Sequence, residues 1–206
     1  MNSSEDGVIG LFPIPLMRCQ YPYDYSNELE WICNYECKKE NAYNHQYSNR
    51  QSEDSFILNR SELLNIRSFI EEKIHDFVIR IMESSNKLVI TQSWLNKNKR
   101  GEFHREHTHP NSIISGVWYP QINKKMPTIE FIKDERRDIL LNIENLNNYN
   151  CSTMQAPTRS GDLFLFPSNL RHNVPINNTD DERISLSFNT WVKDSIGSKQ
   201  DLTYVP

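Results

Sequence analysis

The sequence predicts a mainly β chain of the α+β class: a jelly roll supported on one face by helices. Three observations predict it. One long amphipathic helical pattern fills residues 61–84, the helical period then stops, and the remainder breaks into short β-rich runs. Turn-rich segments at 96–101, 121–127 and 177–181 separate those runs. A length of 206 residues suits one well-buried domain and is short for two. The expected division is an N-terminal strand and supporting helices over 1–86, the β core over 87–193 and a tail over 194–206.

Gly10 to Arg18 reads as an edge strand, because Pro13 and Pro15 cannot donate to a ladder. Ser26 is placed to cap a helix through about Lys39, which would put Cys33 and Cys37 one turn apart on one face. Cys19 and Cys151 are isolated, so the chain lacks the paired spacing of a zinc site, and reduced structural thiols are expected. Asn41 to Ser55 is polar and without period, hence a loop, with His45 facing solvent. Leu63, Leu64, Ile66, Phe69, Ile70, Ile74, Phe77, Val78 and Ile81 then recur at helical spacing behind Ser61 as N-cap, with His75 partly buried beside the stripe.

Strands are expected at Leu88–Leu95, Ser112–Tyr119, Thr128–Ile132, Asp138–Ile143, Ser152–Ala156, Asp162–Phe166, His172–Ile176 and Arg183–Val192. Trp94, Trp118 and Trp191 fall in these runs and are expected in the core. The loops Asn41 to Ser55 and Gln121 to Met126 are expected to shape the mouth of the barrel.

A net charge of -4 and a pI near 5.9 argue against a nucleic-acid binder, which needs a basic face for phosphates. Lys97, Lys99, Arg100 and Arg105 form one local basic cluster, either a solvated loop or an attraction for an anionic substrate. Met1 to Gly10 lacks a signal-peptide pattern and no apolar run approaches the ~20 residues of a membrane span, so a soluble cytoplasmic protein without membrane partners is expected.

The chemistry concentrates in Glu102-Phe103-His104-Arg105-Glu106-His107-Thr108-His109-Pro110, which holds three of the six histidines. Imidazoles and carboxylates suit Fe(II), and two ligands from one short segment plus a distant histidine make a facial site with open positions. His107 and His109, two apart, point to one side of a strand, and His172 closes the triad. His104 and Glu106 with His172 form the alternative triad, and regular alternation keeps the two pairs on opposite faces. Downstream, Gly161-Asp162-Leu163-Phe164-Leu165-Phe166-Pro167 leads to His172, and alternation then puts Arg183, Ser185 and Ser187 on one face. An arginine aimed into an apolar barrel needs a carboxylate, either a protein acid or a bound dicarboxylate with Ser185 as a further donor.

His107-Thr108-His109-Pro110-Asn111-Ser112-Ile113-Ile114-Ser115-Gly116-Val117-Trp118-Tyr119, with the 161–167 strand, His172 and Arg183-Ile184-Ser185-Leu186-Ser187-Phe188-Asn189, resembles the 2-oxoglutarate and Fe(II)-dependent oxygenase superfamily. It looks most like a small branch found in phages and bacteria, and the match spans roughly Trp94 to Trp191. The resemblance implies a double-stranded β-helix with iron held by His107, His109 and His172. It implies that Arg183 and Ser185 bind the distal carboxylate of 2-oxoglutarate; Tyr119, on the strand after the metal segment, is read either as a further hydrogen-bond partner of the cosubstrate or as a packed strand tyrosine with a satisfied hydroxyl. The implied activity is hydroxylation of a small molecule or protein side chain with O2, giving succinate and CO2. One departure stands out: most of the superfamily has Asp or Glu where this chain has His109, so the metal site carries one more positive charge.

Two other readings compete. Gly101 followed by five residues and His107-Thr108-His109 also fits a cupin-type dioxygenase or isomerase, although Ile113 and Ile114 stand where its glutamate belongs and Arg183 is left without a role. The other is a jelly-roll binding module without catalysis.

Overall fold

A computed structural model describes residues 10–43, 46–133 and 141–206. Residues 1–9, His45 and the first half of the Asp138–Ile143 strand expectation lie outside the described residues. Two antiparallel sheets make the β core. The larger has seven strands in the order β1 (Met17–Gln20), β9 (Asp162–Pro167), β6 (Ile114–Gln121), β11 (Arg183–Val192), β4 (Leu88–Asn98), β3 (Gln46–Gln51), β2 (Lys39–Tyr43). The smaller runs β5 (His104–His107), β10 (His172–Val174), β7 (Glu130–Ile132), β8 (Thr153–Gln155).

The central strands of the large sheet are buried on both faces, and period-2 alternation sorts their side chains between two layers. Leu95, Trp118, Leu163, Leu165, Ile184, Leu186 and Phe188 turn towards the helices. They pack on Ile66, Phe69, Ile70, Ile74, Phe77 and Val78 of α2 (Leu64–Arg80) and on Ile32 of α1 (Ser26–Asn34). The alternate residues Val117, Tyr119, Phe164 and Phe166 face the small sheet and pack with Ile122, Met126, Ile129 and Phe131. This is the expected jelly roll with helices on one face.

Gly116 sits where these layers meet. A Cβ there would lie 2.2 Å from Cζ of the fully buried Phe188 and 2.8 Å from Cδ2 of Leu165. Gly116→Ala is therefore an overpacking change, costing about 1–3 kcal/mol, or a melting-point drop of roughly 3–10 °C in a thermal denaturation scan. An unchanged melting point would show that Phe188 swings aside freely.

Seven of the eight expected strands form, and Arg183–Val192 has the expected bounds. Strand β1 is an edge strand as expected, but Pro13 and Pro15 leave the preceding residues outside the ladder, so it starts at Met17. The first helix stops at Asn34 instead of Lys39, and Cys33 is exposed while Cys37 is buried beyond the helix end, so the two share no helix face. Ser26 is not the cap; its N–H and hydroxyl both bond Oδ1 of Asp24. The expected loop at 41–55 contains most of a hairpin, β2 with β3, whose backbone pairing overrides its polar, aperiodic sequence.

Two short 3-10 turns, Ile57–Asn59 and Ser61–Leu63, delay the start of α2 to Leu64, and Ser61 caps nothing. His75, Leu64 and Ile81 are exposed rather than on the buried stripe. Of Trp94, Trp118 and Trp191, only Trp118 is core; Trp191 is 43% exposed and Trp94 is half-buried. The basic cluster is dispersed, since Lys97 is buried with its Nζ donating to the Cys33 carbonyl and Arg100 pairs with Asp180. No helix among the described residues is long and apolar enough to cross a membrane.

Candidate metal centre

His107 ends strand β5, and His109 lies past that end in the turn leading to β6, where Asn111 has φ 56°. The expected reason for their shared side, alternation along one strand, therefore applies only in part. The turn is fixed by hydrogen bonds: the His109 N–H donates to the Ser168 carbonyl at 2.9 Å, and the Ser112, Ser115 and Ser168 hydroxyls interlock below it. His172 opens β10, directly opposite His107 in the ladder.

The three imidazoles converge. One potential ligand nitrogen from each of His107, His109 and His172 lies within 4.8 Å of the others, and Nε2 of His109 is 3.3 Å from Nε2 of His172. Carbonyl oxygens set two tautomers, because the Arg105 carbonyl accepts from His107 Nδ1 at 2.8 Å and the Leu170 carbonyl from His172 Nδ1 at 2.8 Å. Both rings thus keep their Nε2 lone pairs for the centre of the cluster, the arrangement metal-bound histidine requires.

Burial keeps the imidazoles neutral. It is the largest cause of the downward shifts of His109 to about 3 and of His172 to about 4, with neighbouring imidazoles adding to both. His107 moves the same way, also through burial. Unfolded histidines titrate near 6.5. Between that value and the folded values the unfolded chain binds more protons, so stability falls as pH drops from about 6.5 towards 4. Urea denaturation at pH 7.5, 6.0 and 5.0 is expected to show this decline in the metal-free protein; a flat profile would contradict the burial of these rings.

The alternative triad is not assembled. Glu106 points outward and forms an ion pair with Arg171, whereas His104 turns inward with the other three histidines. A bulge explains the split: His172 pairs with His107 and Val174 with His104, so Arg105 and Glu106 of β5 together oppose the single Asn173 of β10. Regular alternation fails here, and positions 104 and 107 share a side.

The histidines line a cavity, which Trp94, Asn96, Tyr119, Arg183, Ser185 and Ser187 also line. Cross-strand pairing aligns this wall, with Arg183 opposite Asn98, Ser185 opposite Asn96 and Ser187 opposite Trp94. The expectation that 183, 185 and 187 share a face holds. Arg183 is 2% exposed and, among the described residues, has no carboxylate partner. Its Nε donates to the Pro127 carbonyl, Nη1 to Asn98 Oδ1 and Ser185 Oγ, and Nη2 to the Tyr119 hydroxyl at 3.2 Å. Pro127 belongs to the segment that follows the expected mouth loop 121–126.

Tyr119 also accepts from the Ile129 N–H at 3.1 Å. Its hydroxyl and that of Ser185 therefore accept from protein donors while donating to no described residue, and both are buried. Beside a guanidinium, two undonated hydroxyl hydrogens make a site that suits an anion. Sequence reasoning missed Asn98, which braces Arg183, and Trp94 and Asn96 as cavity wall; their period-2 spacing on β4, opposite 183–187, was the available signal.

A family profile described as "Putative 2OG-Fe(II) oxygenase" matches residues 92–189, the stretch that carries the triad and Arg183. The match covers 98 of the 206 residues, from 92 to 189, and takes in most of the β core. No curated protein sequence matches the chain. Solved structures sharing the fold include the α-ketoglutarate-dependent epimerase SnoN of nogalamycin biosynthesis, with a TM-score of 0.62 at 11% identity over 86% of this chain and 78% of SnoN. The carbocyclase SnoK of the same biosynthesis gives 0.61 at 11% identity, covering 88% and 81%. HygX from Streptomyces hygroscopicus, solved with nickel and 2-oxoglutarate, gives 0.59 at 10% identity, covering 86% and 82%. At these identities the likeness is one of fold, a jelly-roll core with supporting helices.

Proposed function

We propose that this chain is a 2-oxoglutarate-dependent oxygenase, a hydroxylase that binds Fe(II) through His107, His109 and His172 and 2-oxoglutarate through Arg183, Ser185 and Tyr119. The observation that carries this reading is the content of one cavity: three imidazoles with inward lone pairs, a buried arginine without an acid, and two hydroxyls with hydrogens to give. The donor set fits the metal, since neutral imidazole is a good Fe(II) ligand and three from one side leave positions open. It fits the cosubstrate because the Arg183 group offers only donors to a carboxylate.

When bound, iron and 2-oxoglutarate supply the activation of O2 that oxidises an inert C–H bond. The chain's own residues hold the tautomers, orient the dicarboxylate through Arg183 and wall off water with Val117, Phe166 and Ile129. SnoN is named an epimerase and SnoK a carbocyclase, so product analysis decides the outcome of turnover here.

An anaerobic thermal melt tests the reading. Ligand at about 100 times its Kd adds about 2.7 kcal/mol, or roughly 5–10 °C here. Fe(II) is expected to raise the melting point and 2-oxoglutarate to raise it further only with metal present. No response to either would favour a binding module instead, and a metal response without a 2-oxoglutarate response would favour the cupin-type enzyme. In air, succinate formation is expected, with Glu or Asp side chains taking no part in proton transfer, since no acid lines the cavity among the described residues.

A further inference from the structure

His104 is the one histidine of the cavity without a task in the proposed reaction, and the bulge in β5 is what brings it there. Its ring stacks on that of His107, with centroids 4.3 Å apart and planes 21° from parallel. The ligand atoms that converge within 4.8 Å of one another come from His107, His109 and His172, and His104 is not among them, so it would not serve as a further ligand of the same site. Neither of its ring nitrogens has a hydrogen-bond partner among the described residues, although the ring lines the cavity. A neutral imidazole carries one donor and one acceptor. The ring therefore has hydrogen-bonding capacity to spare at the wall of the cavity, beside the triad.

Resting on the function proposed above, we infer that His104 hydrogen-bonds the metal-chelating, 2-oxo acid end of the cosubstrate. Arg183, Ser185 and Tyr119 provide for one carboxylate of a dicarboxylate. The other carboxylate, held at the metal through one oxygen, keeps a second oxygen that needs a donor, and the ring stacked over His107 is placed to give it one. The contact sets the orientation of the chelate and discriminates 2-oxo acids from ligands without a carboxylate at that end.

The test compares the wild type with His104→Phe, which keeps a ring on His107 but has no nitrogen, and His104→Gln, which restores a donor without the ring. Each is loaded anaerobically with Fe(II) and titrated with 2-oxoglutarate, following the charge-transfer absorption of the chelate. Iron content is expected to be retained in both variants. His104→Phe is expected to bind 2-oxoglutarate about 10-fold more weakly, as loss of one hydrogen bond to a charged group implies, with a displaced absorption maximum. His104→Gln is expected to recover the wild-type maximum in full or large part. Wild-type affinity and maximum in His104→Phe would overturn the inference while leaving the proposed function standing. Equal displacement in both variants would also overturn it, since the ring and not a hydrogen bond would then matter. Absence of the absorption in the wild type would sink the proposed function and this inference together.

Discussion

Arg183→Ala is expected to keep Fe(II) and to lose most of its affinity for 2-oxoglutarate. Removing one member of a buried, hydrogen-bonded charge pair costs about 2–5 kcal/mol, which is roughly 30- to 4000-fold in Kd. The loss extends past the guanidinium, because Nη1 and Nη2 also orient the Ser185 and Tyr119 hydroxyls. Arg183→Lys keeps the charge but not the planar fork that reaches Asn98, Ser185 and Tyr119 together, so an intermediate loss is expected. Isothermal titration of the Fe(II)-loaded variants, with iron content measured in parallel, separates the outcomes. Wild-type affinity in Arg183→Ala would remove the arginine from the cosubstrate site.

Arg183 also shows how far the sequence reached. Alternation of Arg183, Ser185 and Ser187 with Ile184, Leu186 and Phe188 was visible as pattern, and the structure puts one set against the cavity and the other against the helices. That reading succeeds because β11 is long, central and buried on both faces, so its side chains have no choice of layer. Where burial does not dictate, the pattern is silent. Strands β2 and β3 are polar and owe their pairing to backbone bonds at a sheet edge, and the short strand β5 is charged on its outer side. The choice between Glu106 and His109 as a candidate ligand was likewise open in one dimension. A contact with Arg171, 65 residues away, draws Glu106 outward, and no local rule encodes it.

His109→Ala and Glu106→Ala are expected to behave oppositely. Removing His109 takes away one of three converging imidazoles, and the loss of metal affinity is expected to exceed the roughly 10- to 100-fold typical of changes to outer partners of a metal site. The site is then expected to emerge from purification largely without iron. Glu106→Ala gives up an ion pair whose two side chains are 39% and 44% exposed, so both iron content and stability are expected to stay near wild type. Metal analysis after reconstitution under identical conditions distinguishes them. Iron lost only from the Glu106 variant would replace His109 by the carboxylate and return the site to the charge usual in the family.

The bulge in β5 makes the lining of the cavity depend on strand pairing as well as on side-chain identity. Position 104 faces inward because two residues of β5, Arg105 and Glu106, oppose the single Asn173 of β10. Taking out one of those two residues would leave the histidines two apart on a regular strand, where alternation keeps both on the cavity side, whereas closing the bulge with every residue kept would carry His104 to the outer surface. The number of imidazoles around the ligand space is thus set by how β5 pairs with β10 and not by composition alone.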